Sequence, residues 1–265
     1  MENKIEHSYA TFPKQSRIKN AVAVISGKGG VGKSFTSSYL AVLLQRKGFK
    51  VGILDADITG PSIPFAFNIK GPVYSDDNKF FYPIKSKTGI EIMSSNLLLD
   101  NPNDPLVWRG PMISTLLEQF YTDVIWDVDY LILDLAPGTS DISLTIFQKI
   151  ELSSAVLVST PQELVSMVVE KSAKMCSMLD IPLVSLIENM AYVRCPDCGK
   201  RIDIYGKHDF NLDKMFKIPN IEEVPFDSNI AKYMDEGRIE ELDVPYYSST
   251  VDAIIKAGKN EWKRK

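Results

Sequence analysis

The segment Gly27-Lys28-Gly29-Gly30-Val31-Gly32-Lys33-Ser34 follows the apolar run Ala21-Val22-Ala23-Val24-Ile25 and opens onto apolar residues at helical spacing from Phe35 to Lys47. It matches G-x-x-x-x-G-K-[ST] at every fixed position, in the strand-before, helix-after context of a phosphate-binding loop. Glycines let backbone N–H groups turn inward on phosphate oxygens with no Cβ in the way, and a helix starting near Lys33 adds the positive end of its dipole. Gly27, Gly29, Gly30, Val31, Gly32, Lys33, Ser34 and Phe35 are therefore the expected nucleotide cradle. Lys33 is expected to reach the β- and γ-phosphates, and the Ser34 hydroxyl to ligate Mg2+. Lys28 reads either as a second cation aimed at phosphate or as a solvated loop residue.

Downstream, Val51-Gly52-Ile53-Leu54-Asp55, Tyr130-Leu131-Ile132-Leu133-Asp134, Ala155-Val156-Leu157-Val158-Ser159 and Leu183-Val184-Ser185-Leu186-Ile187 read as buried strands, with a helical stretch Glu163–Leu179 between the last two. Continuous apolar strands alternating with helices imply an α/β fold: a mostly parallel central sheet with helices on both faces, the architecture of P-loop NTPases. Phe80-Phe81-Tyr82 and Ile90-Glu91-Ile92-Met93, broken by Pro83 and Gly89, suggest a small peripheral β-hairpin. Further expectations are a helix from about Met112 to Tyr121, a strand within Ile221–Phe226, and closing helices near Asn229–Glu236 and Ser248–Asn260. Residues 1–18 read as a flexible arm, and 19–265 as a single domain carrying an irregular, cysteine-bearing loop at about 194–210.

A chain of 265 residues suits one large domain, and 45% hydrophobic with 24% charged residues is ordinary for a globular protein. A net charge of −4 and a pI near 5.4 supply no global basic field, so no nucleic-acid partner is expected. No apolar run approaches the roughly 20 residues that span a bilayer, and Met1-Glu2-Asn3-Lys4 starts no signal peptide. The expectation is a cytoplasmic protein with no membrane partner.

Asp134 ends a hydrophobic strand, where a Walker B acid holds Mg2+ directly or through water. In Asp134-Leu135-Ala136-Pro137-Gly138-Thr139-Ser140-Asp141, Gly138 offers a backbone that can follow the γ-phosphate, which makes this segment a candidate switch. Asp55 and Asp57 in like environments would raise one another's pKa, so they need separate roles. Asp55 is assigned near the Mg2+ shell and Asp57 to the attacking water, with Ile58–Ser62 as the other switch. The lack of an Asn-Lys-x-Asp guanine motif leans the nucleotide toward ATP.

Cys195-Pro196-Asp197-Cys198 is a C-x-x-C knuckle whose two thiolates fall short of the four ligands that Zn2+ or a [4Fe–4S] cluster usually takes. Cys176 lies in a helical pattern and reads as a packed small hydrophobe, and His208 reads as a lone surface histidine, with a place beside the cysteine pair as the alternative. The ligand count closes if two subunits donate one pair each across a two-fold axis.

The loop with its early Lys28 resembles the deviant Walker A class, which includes the Mrp/ApbC, MinD, ParA and nitrogenase iron-protein families. Together with Asp55-Ala56-Asp57-Ile58-Thr59-Gly60-Pro61-Ser62-Ile63-Pro64, Trp108-Arg109-Gly110-Pro111-Met112, Asp134–Thr139 and the C-x-x-C, it follows the order seen in the Mrp/ApbC iron–sulfur cluster carrier ATPases, over roughly residues 18–255. The resemblance implies a homodimeric ATPase in which Lys28, crossing to the partner's nucleotide, acts with Lys33 and Asp57 in catalysis. It implies that Asn189 bonds adenine while Pro225 to Asp227 line the base, although Asn189 alone also fits a strand-end cap. It further implies a labile [4Fe–4S] cluster shared between two subunits by Cys195 and Cys198 and passed to apo-protein recipients. Ala136 and Ser140 depart from the family's Pro-Pro-Gly-Thr-Gly-Asp, and Ile202–His208 replaces a His-Ile-Phe-Gly run. Two alternatives stand beside this reading. One is a MinD/ParA-like positioning ATPase using Ile254, Ile255, Trp262 and nearby lysines at a membrane or DNA surface; the other is a zinc-binding regulatory ATPase.

Overall fold

The computed structural model describes residues 13, 15–57, 60–76, 80–98, 115, 118–138, 141–164, 167–205 and 216–259. The Trp108–Met112 motif, parts of both switch segments, His208, the tail beyond residue 259 and most of the expected arm lie outside these.

The strands are β1 (Arg17–Ser26), β2 (Val51–Asp55), β3 (Tyr74–Asp76), β4 (Phe80–Tyr82), β5 (Ile84–Lys85), β6 (Glu91–Ser94), β7 (Asp127–Asp134), β8 (Ser154–Ser159), β9 (Leu183–Glu188), β10 (Val193–Arg194), β11 (Arg201–Ile202) and β12 (Ile221–Glu223). The helices are α1 (Lys33–Arg46), α2 (Ile63–Ala66), α3 (Asp141–Lys149), α4 (Pro161–Leu164), α5 (Met167–Met178), α6 (Ser228–Asp235) and α7 (Ser248–Lys259). Eight strands form one sheet in the order β12-β9-β8-β1-β7-β2-β6-β5, parallel throughout except for the edge strand β5.

β1 sits in the middle, between β7 and β8, and its last six residues are all buried. Successive side chains point to opposite faces, so Ala21, Ala23 and Ile25 enter one core with Trp126, Phe147 and Leu157. Val22 and Val24 enter the other with Tyr39, Leu40 and Ile132. A strand buried on both faces must be apolar at every position, which is why these runs show no alternation. Helix α1 is enclosed on nearly all sides, with Tyr39 stacked on Phe35 at 5.7 Å and Tyr247 edge-on to both rings.

Three expectations shift. The run at 90–93 forms an antiparallel edge hairpin with β5 and not with Phe80–Tyr82, and it also joins the main sheet, where β6 pairs in parallel with β2 and Ile90, Ile92 and Met93 are fully buried; Phe80–Tyr82 instead pairs antiparallel with β3. The expected arm 1–18 overlaps β1, which starts at Arg17 and pairs Arg17 with Asp127; the alternation of exposed Arg17 and Lys19 with half-buried neighbours made its first residues look irregular. Ile254, offered for a membrane surface, is 1% exposed and packs into the core from α7. Among the described residues no helix is long and apolar enough to cross a membrane.

Gly52 shows how closely the layers meet. A Cβ there would stand 2.8 Å from the buried Trp126 ring and 3.1 Å from Leu131. Gly52→Ala should lower the unfolding free energy by about 1–3 kcal/mol, measured by urea denaturation, because neither neighbour has room to retreat.

Candidate nucleotide site and cysteine hairpin

Because parallel strands end on the same edge, β1, β2, β7 and β9 deliver their last residues to one rim of the sheet. The loop after β1 reaches α1 through Gly32, at φ 86°, a left-handed conformation that side chains with a Cβ disfavour. Space forbids one as well: it would lie 2.1 Å from the Asn189 Nδ2 atom. That amide donates to the Val31 carbonyl at 2.8 Å, so Asn189, buried at the end of β9, is a strut under the loop. No side chain caps the first turn of α1, which leaves its N–H groups directed at the loop's concavity.

Lys33 Nζ lies 2.8 Å from Asp134 Oδ1 and 3.7 Å from Asp57 Oδ2. Asp134 is fully buried and accepts two more hydrogen bonds, from Ser34 Oγ at 2.6 Å and Ser37 Oγ at 2.7 Å. Asp55 stands in register beside it on β2, accepting from the Asp57 and Ile63 amides and from Ser94 Oγ. Burial, and then the charge of Asp134, hold the Asp55 carboxyl well above the usual carboxylate range, against the opposing pull of Lys33. The Gly138 amide donates to the Ser26 carbonyl at 2.8 Å, fastening the second switch to the start of the loop.

A concavity of about 410 Å³ is lined by Lys28, Gly29, Gly30, Gly32, Lys33, Ser34, Phe35, Asp57, Gly60, Pro137, Met190 and Met234. Lys28 and Asp57 thus face one space. Ser37, Met190 and Met234 escaped the sequence reading: Ser37 lies a turn beyond the motif, and a methionine after a strand or in a helix carries no signal of its own. Pro225 and Asp227 do not line the concavity; Pro225 is buried, and Asp227 caps α6 by accepting from the Asn229 amide at 2.9 Å.

Four residues past Asn189, β10 and β11 form a two-stranded hairpin with the C-x-x-C at its tip. The Cys195 amide donates to the Lys200 carbonyl at 2.9 Å and the Gly199 amide to the Cys195 carbonyl at 2.8 Å, closing the knuckle. Cys198 is exposed and Cys195 half-buried, and neither is in a disulfide. The backbone amides of Cys198 and Asp197 point at the Cys195 thiol and hold it below its ordinary range. Cys176 is fully buried in α5, where burial pushes the thiol up to about 12. Among the described residues no group of three or more His, Cys, Asp or Glu is placed to hold a metal ion, so the knuckle contributes two sulfurs and no third donor.

Glu188, the last residue of β9, is 3% exposed and its Oε1 has no hydrogen-bond partner. Burial, and then the charge of Glu223, push its carboxyl up to about 7 against the attraction of Arg201. The folded chain therefore binds this proton more tightly than the unfolded chain does. Its stabilising contribution is complete below the ordinary carboxyl range and is lost as pH rises through about 7. Glu188→Gln should unfold at higher urea than the native sequence at pH 8, by about 1–3 kcal/mol, and show little difference at pH 5.

A glycine-rich loop between a central parallel strand and a helix, with a buried lysine on a strand-end aspartate, defines a P-loop NTPase. The chain belongs to the ParA family described as NUBPL iron-transfer P-loop NTPases, whose pattern matches residues 17–257. It is 41% identical over 248 residues to an iron-sulfur cluster carrier protein of Clostridium perfringens, covering 89% of this chain and 87% of that one. A nucleotide-binding protein of Archaeoglobus fulgidus, solved in complex with ADP, superposes with a TM-score of 0.77 at 40% identity, over 87% of this chain and 91% of that chain. The MinC:MinD cell division complex of Aquifex aeolicus shares the fold at 16% identity, with a TM-score of 0.62 over 93% and 98% of the two chains.

Proposed function

We propose that this protein is a homodimeric, Mg2+-dependent ATPase that carries a labile [4Fe–4S] cluster between two C-x-x-C hairpins and passes it to apo-proteins. The observation that carries the reading is a complete phosphate-loop site whose strut, Asn189, lies six residues before a pair of thiols, one exposed and one half-buried, with no third ligand among the described residues. The carrier named among its relatives, 41% identical, supports the cargo, and the neighbour solved with ADP supports the nucleotide.

The donor set fits Mg2+: the Ser34 hydroxyl and the carboxylates of Asp134 and Asp55 are hard oxygens, two of them buried acids with one lysine between them. When bound, the ion would neutralise charge on the β- and γ-phosphates. In this reading Lys33 exchanges its contact with Asp134 for phosphate oxygens, which the α1 N-terminus meets from below. Asp57, on the rim of the same concavity, orients the attacking water. Lys28, exposed at the mouth, reaches the nucleotide of a second copy. Asn189 supports the loop and presents its remaining carbonyl oxygen to the base.

Lys33→Ala should abolish ATP binding by calorimetry, since it removes the buried charge facing phosphate. Asp57→Asn should bind Mg-ATP normally and hydrolyse it about 100-fold or more slowly, as loss of a water-positioning group predicts. Equal loss of binding in both variants would refute this division of roles.

Anaerobic reconstitution should load about four irons per dimer, as shared ligation of one cluster requires. Cys195→Ala or Cys198→Ala should abolish loading while ATP binding persists, and Cys176→Ala should change neither. Stoichiometric zinc with no iron uptake would favour the regulatory alternative.

A further inference from the structure

Side chains of the cysteine hairpin reach back to the body of the protein. In the antiparallel register Val193 pairs with Ile202 and Arg194 with Arg201, so the two arginines share one face of the ribbon. Both meet the same ring while remaining partly exposed: the Arg201 guanidinium lies 4.2 Å from the centre of the Tyr192 ring and that of Arg194 5.4 Å from it. Arg201 also donates through Nε to Asp203 at 2.5 Å and through Nη1 to Glu223 of β12. One planar group thus joins the hairpin, the residue preceding it and the edge of the main sheet. A lysine would keep the charge but not the planar fork that meets two carboxylates while lying against a ring.

The parts it joins lead back to the nucleotide. The Val224 amide donates to the Glu188 carbonyl, the Ala191 amide to the Val224 carbonyl and the Phe226 amide to the Tyr192 carbonyl, at 2.8–2.9 Å, lacing residues 188–192 to 224–226. Asn189 at the start of this ladder holds the Val31 carbonyl, and Met190 lines the nucleotide concavity. From Asn189 to Tyr192 the chain spans at most about 11 Å. The strut under the phosphate loop and the root of the hairpin are thus joined by a short segment that is laced to the main sheet along its length.

We infer that Arg201 is a positioning residue for the cysteine pair: clamped on Tyr192, Asp203 and Glu223, it fixes the hairpin to the ladder that Asn189 ties to the phosphate loop, so that nucleotide occupancy alters the accessibility of Cys195 and Cys198. The inference rests on the proposed roles of the nucleotide cradle and the cysteine pair. The test uses the full chain without cluster and the rate at which Ellman's reagent modifies its thiols, with Cys176 silent in the core. Adding Mg2+ and a non-hydrolysable ATP analogue should change this rate in the native sequence by about two- to tenfold, the range of coupling that such contacts modulate. Arg201→Ala should bind the analogue as tightly as the native sequence yet lose the dependence, and Arg201→Lys should not restore it. Tyr192→Phe, which keeps the ring, should retain the dependence, and Tyr192→Leu should lose it. An unchanged nucleotide dependence in Arg201→Ala, or no dependence in the native sequence, would overturn the inference. The expected pattern in a chain that takes up no iron would uphold the latch while refuting the cluster assignment.

Discussion

The contact on which the rest of the site depends is the buried one between Lys33 and Asp134. Each charge would be costly in a sheet interior by itself, and each is tolerable because the other stands 2.8 Å away with two serine hydroxyls completing the carboxylate's hydrogen bonds. Asp134 is delivered by the end of β7 and Lys33 by the first turn of α1, so the pair fixes helix to strand where phosphate is to bind. Asp55 beside it is under pressure from its own burial and then from the charge of Asp134, which Lys33 opposes only in part, so its carboxyl holds its proton more tightly. Additional positive charge relieves that imbalance, which is why the same cluster that is awkward alone suits a cation and a polyphosphate.

The sheet and its loop were legible in the sequence because burial on both faces leaves an unmistakable signature. Runs such as Ala21–Ile25 and Tyr130–Asp134 admit few readings, and the glycines between them fewer. The Glu91–Ser94 strand was harder: it is short, interrupted by a glutamate and preceded by true hairpin sequence, so its partner β2 is visible only in three dimensions. Asn189 drew notice as a strand-end residue, yet the hydrogen bond that its side-chain amide donates to the Val31 carbonyl spans 158 residues and has no local trace. Ser37, Met190 and Met234 belong to the same category, since each is ordinary until the chain brings it to the rim.

The cysteine pair illustrates a different limit. Its spacing announces paired thiols, and the structure adds that both arginines of the ribbon bearing them, Arg194 and Arg201, lie against the Tyr192 ring. Arginines in a polar stretch carry no pattern that separates a docking contact from solvation. Only their register with one another, set by the antiparallel pairing, shows that they face the same way.

The hairpin also stands apart from both cores: neither cysteine of the knuckle belongs to the buried clusters that hold the sheet and helices together. In small zinc domains, by contrast, metal affinity and folding energy are one quantity, and the empty form falls apart. Here the two are separable, because the scaffold is built from apolar burial far from the thiols. A scaffold organised in this way owes its fold to the sheet and helices, whatever occupies the thiols.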